Sequence, residues 1–328
     1  MDNPYESVPW DDIERLHSVN HVHTFSPNTG KDDWPRGPDN LDGQAVFESM
    51  YERGIRHFAL SNYHPAKPTY PLERYVDPLP DDALGCPNGE HHSNDVSGHY
   101  CSIGSYFQSG DGYETTWDVL FDDVFSQLAY EGGGGLVINH PHRTGLDAET
   151  LIERLDYDER VLGIEAYNHR SEVKPKYNQT GDAIDLWDEL LASGRQVFGF
   201  FNADSHSSWL PPPSWTDEML GRNVLLVPER TEAAAARAYR QGQFFGALRG
   251  NGLAFERIAV RDDTLVVETN HADRITIIGD QAVVDEVPES TTRYSLTDAP
   301  DYVRVEAADD TGERIFSQAI HMAPDARR

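Results

Sequence analysis

Over the first 250 residues, short apolar runs alternate with stretches of helical periodicity. The runs at 56–61, 97–103, 135–139, 161–167, 196–202 and 223–227 are rich in β-branched and aromatic residues, which predicts buried strands. Between them, residues 43–53, 113–131, 147–155, 182–192 and 232–240 predict helices. The clearest is 113–131, where Trp117, Leu120, Phe121, Val124, Phe125 and Leu128 recur at helical spacing. Strands alternating with helices imply a parallel sheet with covered faces. Near Gly250 the pattern changes to short alternating runs at 258–260, 265–269, 274–278, 292–296, 302–307 and 315–320. They are separated by turn residues such as Asp262-Asp263 and Asp310-Thr311-Gly312, which predicts a small antiparallel β-sandwich. The expectation is an α/β chain with a TIM-like barrel over 1–250 followed by a β-sandwich module over 251–328. Residues 65–87 hold six prolines and are too long for an ordinary connection, so they form either a lid or an ordered rim.

The chemistry sits at the ends of the apolar runs. Twelve of the 14 histidines fall within residues 1–206, grouped as His21-Val22-His23, His64, Glu90 with His99, His140-Pro141-His142, and Asp204-Ser205-His206. In a strand, residues i and i+2 share a face, so His21/His23 and Asp204/His206 can each aim two ligands one way. Imidazoles and carboxylates converging from several segments suit borderline divalent metals. Polar ligands just past the C-terminal ends of strands match the active-site end of a (β/α) barrel. The pattern is that of a metal site, and of a hydrolase.

Composition narrows the class. The 328 residues carry a formal net charge of −29, and only four of the 27 basic residues are lysines. Such self-repulsion belongs to halophile proteins, and roughly 1 M salt, with a Debye length of about 3 Å, would screen it. The same charge argues against nucleic-acid partners, which need Lys and Arg to neutralise phosphates. No 18-residue apolar stretch predicts a membrane span, and residues 1–10 show no secretory pattern. Cys86 and Cys101 read as two free thiols rather than a disulfide framework. The expected compartment is the cytoplasm; the oligomeric state is not legible.

Taken in order, Asn20-His21-Val22-His23-Thr24, Gly89-Glu90, His99, Asn139-His140-Pro141-His142 and Asp204-Ser205-His206 resemble the polymerase and histidinol phosphatase (PHP) family over about residues 15–250. Residues 238–245 look like the helix and turn that follow the barrel in a branch with a C-terminal β module, which includes proteins similar to carbaryl hydrolase. The resemblance implies a distorted (β/α)7 barrel holding two or three divalent ions of zinc, manganese or iron. It implies that His21, His23, Glu90 and Asp204 bind the first, that Glu90 bridges to a second held by His99 and His140, and that His64 and His206 contribute to a third. The chain departs from the family at Ser61-Asn62-Tyr63-His64, where a Thr-Asp-His run is usual, so either His64 keeps the role or Tyr63 takes its place. Asn28, Thr29 and Gly30 also stand where a stronger third-site ligand is usual.

A metal-dependent phosphoesterase acting on a small phosphomonoester or phosphodiester is the leading reading, with His206 and His142 as candidate catalytic residues. His142 equally fits a turn-capping role. Paired cations roughly 3.5–4 Å apart can generate hydroxide and clamp both oxygens of an in-line displacement. The same centre would serve a carbamate, amide or ester hydrolase, and a non-catalytic metal-bearing binding protein is a third reading. His91 and His92 read as exposed loop histidines, His17 as structural, and Glu165 as a structural or supporting residue. Arg143, Arg170 and Arg249 are candidate phosphate clamps for which surface ion pairing is favoured.

Overall fold

The computed structural model describes residues 1–23, 43–61, 70–74, 76–94, 98–109, 113–169, 180–204, 221–250 and 252–322. It is a mixed α/β protein. Strands β1 (Glu14–Val19), β2 (His57–Phe58) and β3 (Leu84–Gly85) pair in parallel. Next, β4 (Glu90–His92) and β5 (His99–Ile103) form an antiparallel pair, and β5 runs antiparallel to β6 (Gly135–Ile138). The parallel order resumes with β7 (Val161–Asn168) and β8 (Phe198–Asn202). Helices α1 (Gly43–Glu52), α2 (Trp117–Phe125), α3 (Pro141–Thr144), α4 (Ala148–Leu155) and α5 (Ile184–Ala192) lie between them. Every residue of β6 and β8 is buried, as expected of parallel strands covered on both faces. Gly163 lets β7 approach β8 closely, since a Cβ there would fall 1.9 Å from the Phe198 carbonyl oxygen.

Backbone pairing does not close these strands into one ring among the described residues. They divide into two sheets, with breaks between β3 and β4 and between β8 and β9 (Arg222–Val227). Asparagine side chains occupy both breaks. Asn88 Nδ2 donates to the carbonyls of Asn20 and Ala59, each at 2.8 Å. Asn223 accepts from the Phe201 amide at 3.1 Å and donates to its carbonyl at 3.2 Å. Leu16, Cys101, Val137, Leu162, Phe200 and Leu225, drawn from both sheets, nevertheless share one interior cluster.

The larger sheet runs across residue 250. There β9 pairs antiparallel with β1 and with β10 (Phe244–Leu248), the latter reached through α6 (Glu232–Gln241). Next to β10 lies β17 (Arg314–Ser317), followed outward by β16 (Tyr302–Ala308), β13 (Arg274–Gly279) and β14 (Ala282–Val287). A separate antiparallel sheet is made of β11 (Phe255–Arg261), β12 (Thr264–Thr269) and β15 (Thr291–Ser295). Ile258, Leu265 and Val267 of that sheet join Ile277, Val305 and Ile315 of the large one in a single apolar cluster. One buried ion pair ties the helical half to these strands: Arg304 donates to both oxygens of Asp188, at 2.7 Å each, and Tyr302 Oη donates to Asp188 Oδ1 at 3.1 Å.

Several elements differ from the sequence reading: β4, β5 and β6 are antiparallel where a parallel sheet was expected, and β14 falls outside the runs read as strands. The helix expected over 113–131 covers only Trp117–Phe125, because the chain beyond it pairs elsewhere. Tyr106 N donates to Gln127 O and Ala129 N to Gly104 O, at 3.0 and 2.8 Å. The run at 315–320 breaks at Gln318, whose side chain bonds the Gly199 amide at 2.9 Å and its carbonyl at 3.1 Å. After this break β18 (Ile320–His321) turns to pair with β16. Finally, Phe244 and Phe245, read as part of a helix and turn, begin a strand. No helix among the described residues is long and apolar enough to cross a membrane.

Candidate metal centre

Four of the expected ligands follow a strand's C-terminal end, as expected, and two instead open a strand. β1 stops at Val19, and the next residues carry His21 and His23, both buried. Glu90 opens β4, His99 opens β5 on the neighbouring strand, His140 follows β6, and Asp204 follows β8. These segments converge on two carboxylates. Glu90 Oε1 is 2.9 Å from His99 Nδ1, 3.4 Å from His140 Nε2 and 3.5 Å from His21 Nε2. Glu90 Oε2 is 3.2 Å from His23 Nε2. Asp204 Oδ1 lies 3.2 Å from His21 Nε2 and 3.4 Å from His23 Nε2.

Six of the predicted ligands therefore meet in one pocket. His64 and His206 lie outside the described residues. His142 sits partly exposed in α3, and among the described residues no ion pair joins it to the cluster.

Sequence reasoning gave two residues of the site too little weight, reading Glu165 as structural or supporting and His92 as an exposed loop histidine. Glu165, in the middle of β7, is fully buried and lies 2.6 Å from His21 Nδ1. A carboxylate accepts, so His21 Nδ1 carries a proton there, which leaves Nε2 as the nitrogen that would face a cation once its own proton is lost. His92 is the second of them. It lies directly across the β4–β5 pair from His99, their rings stacked with centroids 3.7 Å apart. Glu90, His92 and His99 can each offer a ligand atom within 4.8 Å of the others. The i, i+2 rule applied to His21 and His23 also puts His92 on the face of Glu90, so the signal was present. The expectation of exposed loop histidines is corrected on both counts. His91 is completely buried, with Nε2 2.9 Å from Ser102 Oγ and Nδ1 3.0 Å from Ser109 Oγ, while His92 is half-buried in β4.

Other residues take structural places. His17 Nδ1 accepts from Arg222 Nε at 2.9 Å. Arg249 offers its carbonyl to Arg222 at 3.3 Å. Arg170 lies outside the described residues. Cys86 and Cys101 are both free and buried.

The pocket's electrostatics follow from burial against charge. Burial opposes the His21 imidazolium, but Asp204, Glu165, Cys101 and Glu90 outweigh it and hold its pKa well above the ordinary value. Burial likewise opposes ionisation of Glu90, yet His21, His140 and His23 keep its carboxyl well below the usual range. Among the described residues, no lysine or arginine pairs with Glu90 or Glu165; their charged partners are imidazoles. Backbone geometry is also unusual here. His140 and Asp204 adopt positive φ angles of 27° and 47°, a region that non-glycine residues rarely occupy.

This donor set fits divalent cations. It combines imidazole nitrogens with carboxylate oxygens, the ligands of zinc, manganese and iron. His21 Nε2 is buried without a hydrogen bond of its own, flanked by two carboxylates. His21, His140 and Asp204 form one group with ligand atoms within 4.8 Å of each other, and His21, His23 and Glu90 form another.

No family model matches this chain, and no curated protein matches it. Its fold is shared with the crystal structure of a two-domain protein from Bacteroides vulgatus that contains a predicted PHP-like metal-dependent phosphoesterase. The TM-score is 0.51 at 13% sequence identity, covering 94% of this chain and 96% of that one.

Proposed function

We propose that this protein is a metal-dependent hydrolase of the PHP type, cleaving a small phosphomonoester or phosphodiester. The observation that carries the reading is the convergence of His21, His23, Glu90, His99, His140 and Asp204 on one buried pocket. The motif order along the chain and the phosphoesterase description of the Bacteroides neighbour support it. In this reading residues 1–250 form the distorted barrel that carries the chemistry, and residues 251–328 form the β module.

His21, His23, Glu90 and Asp204 would hold one divalent cation, and Glu90, His99 and His140 a second. His64 and His206 would contribute to a third. Such cations would supply Lewis acidity and bring the pKa of water near 7, so the site needs no separate strong base. The chain's own residues do the rest. Glu90 spans the two ligand groups through its two oxygens, and His142 and His206 would act on the substrate. The substrate's negative charge must be met locally, because the acidic surface repels anions.

The test is a panel of p-nitrophenyl phosphates and esters, assayed in molar KCl with Mn²⁺ or Zn²⁺. Phosphate cleavage that disappears with chelator and in His21→Ala is the expected outcome. A chelator-resistant phosphatase overturns the proposal. Cleavage of esters alone would move the assignment to carbonyl chemistry on the same residues.

A further inference from the structure

Glu165 takes no part in the ligand set, yet four hydrogen bonds converge on its carboxylate. Its Oε1 accepts from His21 Nδ1 at 2.6 Å and from Asn202 Nδ2 at 2.7 Å. Its Oε2 accepts from the His140 backbone N–H at 2.7 Å and from Asn168 Nδ2 at 2.8 Å. An ionised carboxylate has about four lone-pair positions, and here four donors fill them. Three of these donors belong to or touch ligands. His21 is one, His140 is held through its own main chain, and Asn168 Nδ2 also lies 3.4 Å from Asp204 Oδ2.

We infer that Glu165 is the positioning residue of this centre, fixing the His21 tautomer and the His140 backbone so that ligands from three strand ends face one point. This rests on the metal centre proposed above, though not on the reaction assigned to it.

The polarity of the donors makes the role specific. A backbone N–H cannot become an acceptor, so the atom facing His140 N must be an oxygen. In Glu165→Gln the amide oxygen must therefore take the Oε2 place, and the NH₂ group must point at His21 and Asn202. Asn202 can match only by turning its carboxamide, which gives up the bond its Oδ1 accepts from Asn223 Nδ2 at 3.3 Å. His21 can match only by accepting at Nδ1, which moves its proton to Nε2, and a protonated Nε2 cannot ligate a metal. The substitution keeps size and shape yet inverts the one hydrogen bond that aims the lone pair. A carboxylate filling space in a strand would have no such effect. Outer partners of metal-bound histidines set tautomer and orientation in this way, and losing one costs about 10–100-fold in metal affinity.

The experiment is Zn²⁺ titration of the full chain by calorimetry, with metal content measured on the dialysed protein. In Glu165→Gln we expect the tightest zinc equivalent to weaken about 10–100-fold, with the unfolded fraction unchanged by circular dichroism. A second measurement does not depend on the variant folding. In the zinc-loaded wild type, ¹⁵N-imidazole NMR should show His21 protonated at Nδ1 and metal-bound at Nε2. Wild-type zinc affinity in Glu165→Gln, or His21 bound through Nδ1, overturns the inference and leaves the metal centre standing. A wild-type chain that takes up no zinc, manganese or iron removes both.

Discussion

Two buried polar clusters in this molecule are built on opposite principles. At the seam between α5 and the C-terminal strands, Arg304 forks onto Asp188, and Arg304 also reaches Glu306 at 2.7 Å. There guanidinium meets carboxylate in a fixed geometry with charges that offset each other. At the strand ends, Glu90, Glu165 and Asp204 crowd together among imidazoles that must be protonated before they can balance them. The first cluster is complete in itself. The second is arranged so that a cation completes it. Burial alone therefore does not mark a functional site; the sign and supply of the donors do.

Substitutions should separate the two clusters by observable. The largest effect is expected from Asp204→Asn, since asparagine tolerates the left-handed backbone at this position while giving up the charge. Hydrolysis should fall by at least about 100-fold, more than an outer partner alone commands, with little change in the denaturation midpoint of the metal-free protein. Arg304→Met should do the reverse. It strands a buried Asp188 and costs about 3–5 kcal/mol, read by urea unfolding, while kcat per folded molecule stays near wild type. If Asp204→Asn unfolds the protein, or Arg304→Met abolishes turnover in the folded fraction, the contrast fails.

Acid should act on a third group of buried residues. His57 and His17 are held neutral with pKa values lowered to about 3, His57 by burial and His17 by burial with help from Arg222 and Arg56. In the unfolded chain they titrate near about 6.5. Between these values the unfolded state binds more protons, so their stability contribution is complete above about pH 6.5 and drains away as pH falls toward 3. The midpoint should decline over that window, and His57→Gln should flatten the slope; an unchanged slope would show that His57 is not held neutral. The mildest effect concerns salt. The midpoint should rise with KCl into the molar range, as screening relieves a net charge of −29, whereas a flat curve would leave the acidic surface without a stabilising counterpart.

What could be read from the chain follows from how local each signal is. His21/His23, His140 and Asp204 stood out because each ends an apolar run, and three or four residues suffice to show it. Glu165 was less visible, because it lies inside a strand and its partners are up to 144 positions away along the chain. His92 was legible by the alternation rule but was read as loop, since a three-residue strand leaves too short a pattern. The strand–helix alternation was sound, whereas the division into two sheets was not foreseeable. Asn88 and Asn223 stand at its two breaks, and nothing in an asparagine's immediate neighbours tells which backbone its amide will meet. The limits of α2 were set by the pairing of Ala129 with Gly104, again a contact between distant segments.

Gln318 ties the C-terminal segment to the strand that leads to the candidate metal centre. Its carboxamide clasps both main-chain groups of Gly199, and Phe316 stacks on Phe201 with ring centroids 4.6 Å apart, so β8 is splinted only a few residues before Asp204. The course of β8 toward Asp204 is therefore fixed in part by a residue 119 positions later in the chain.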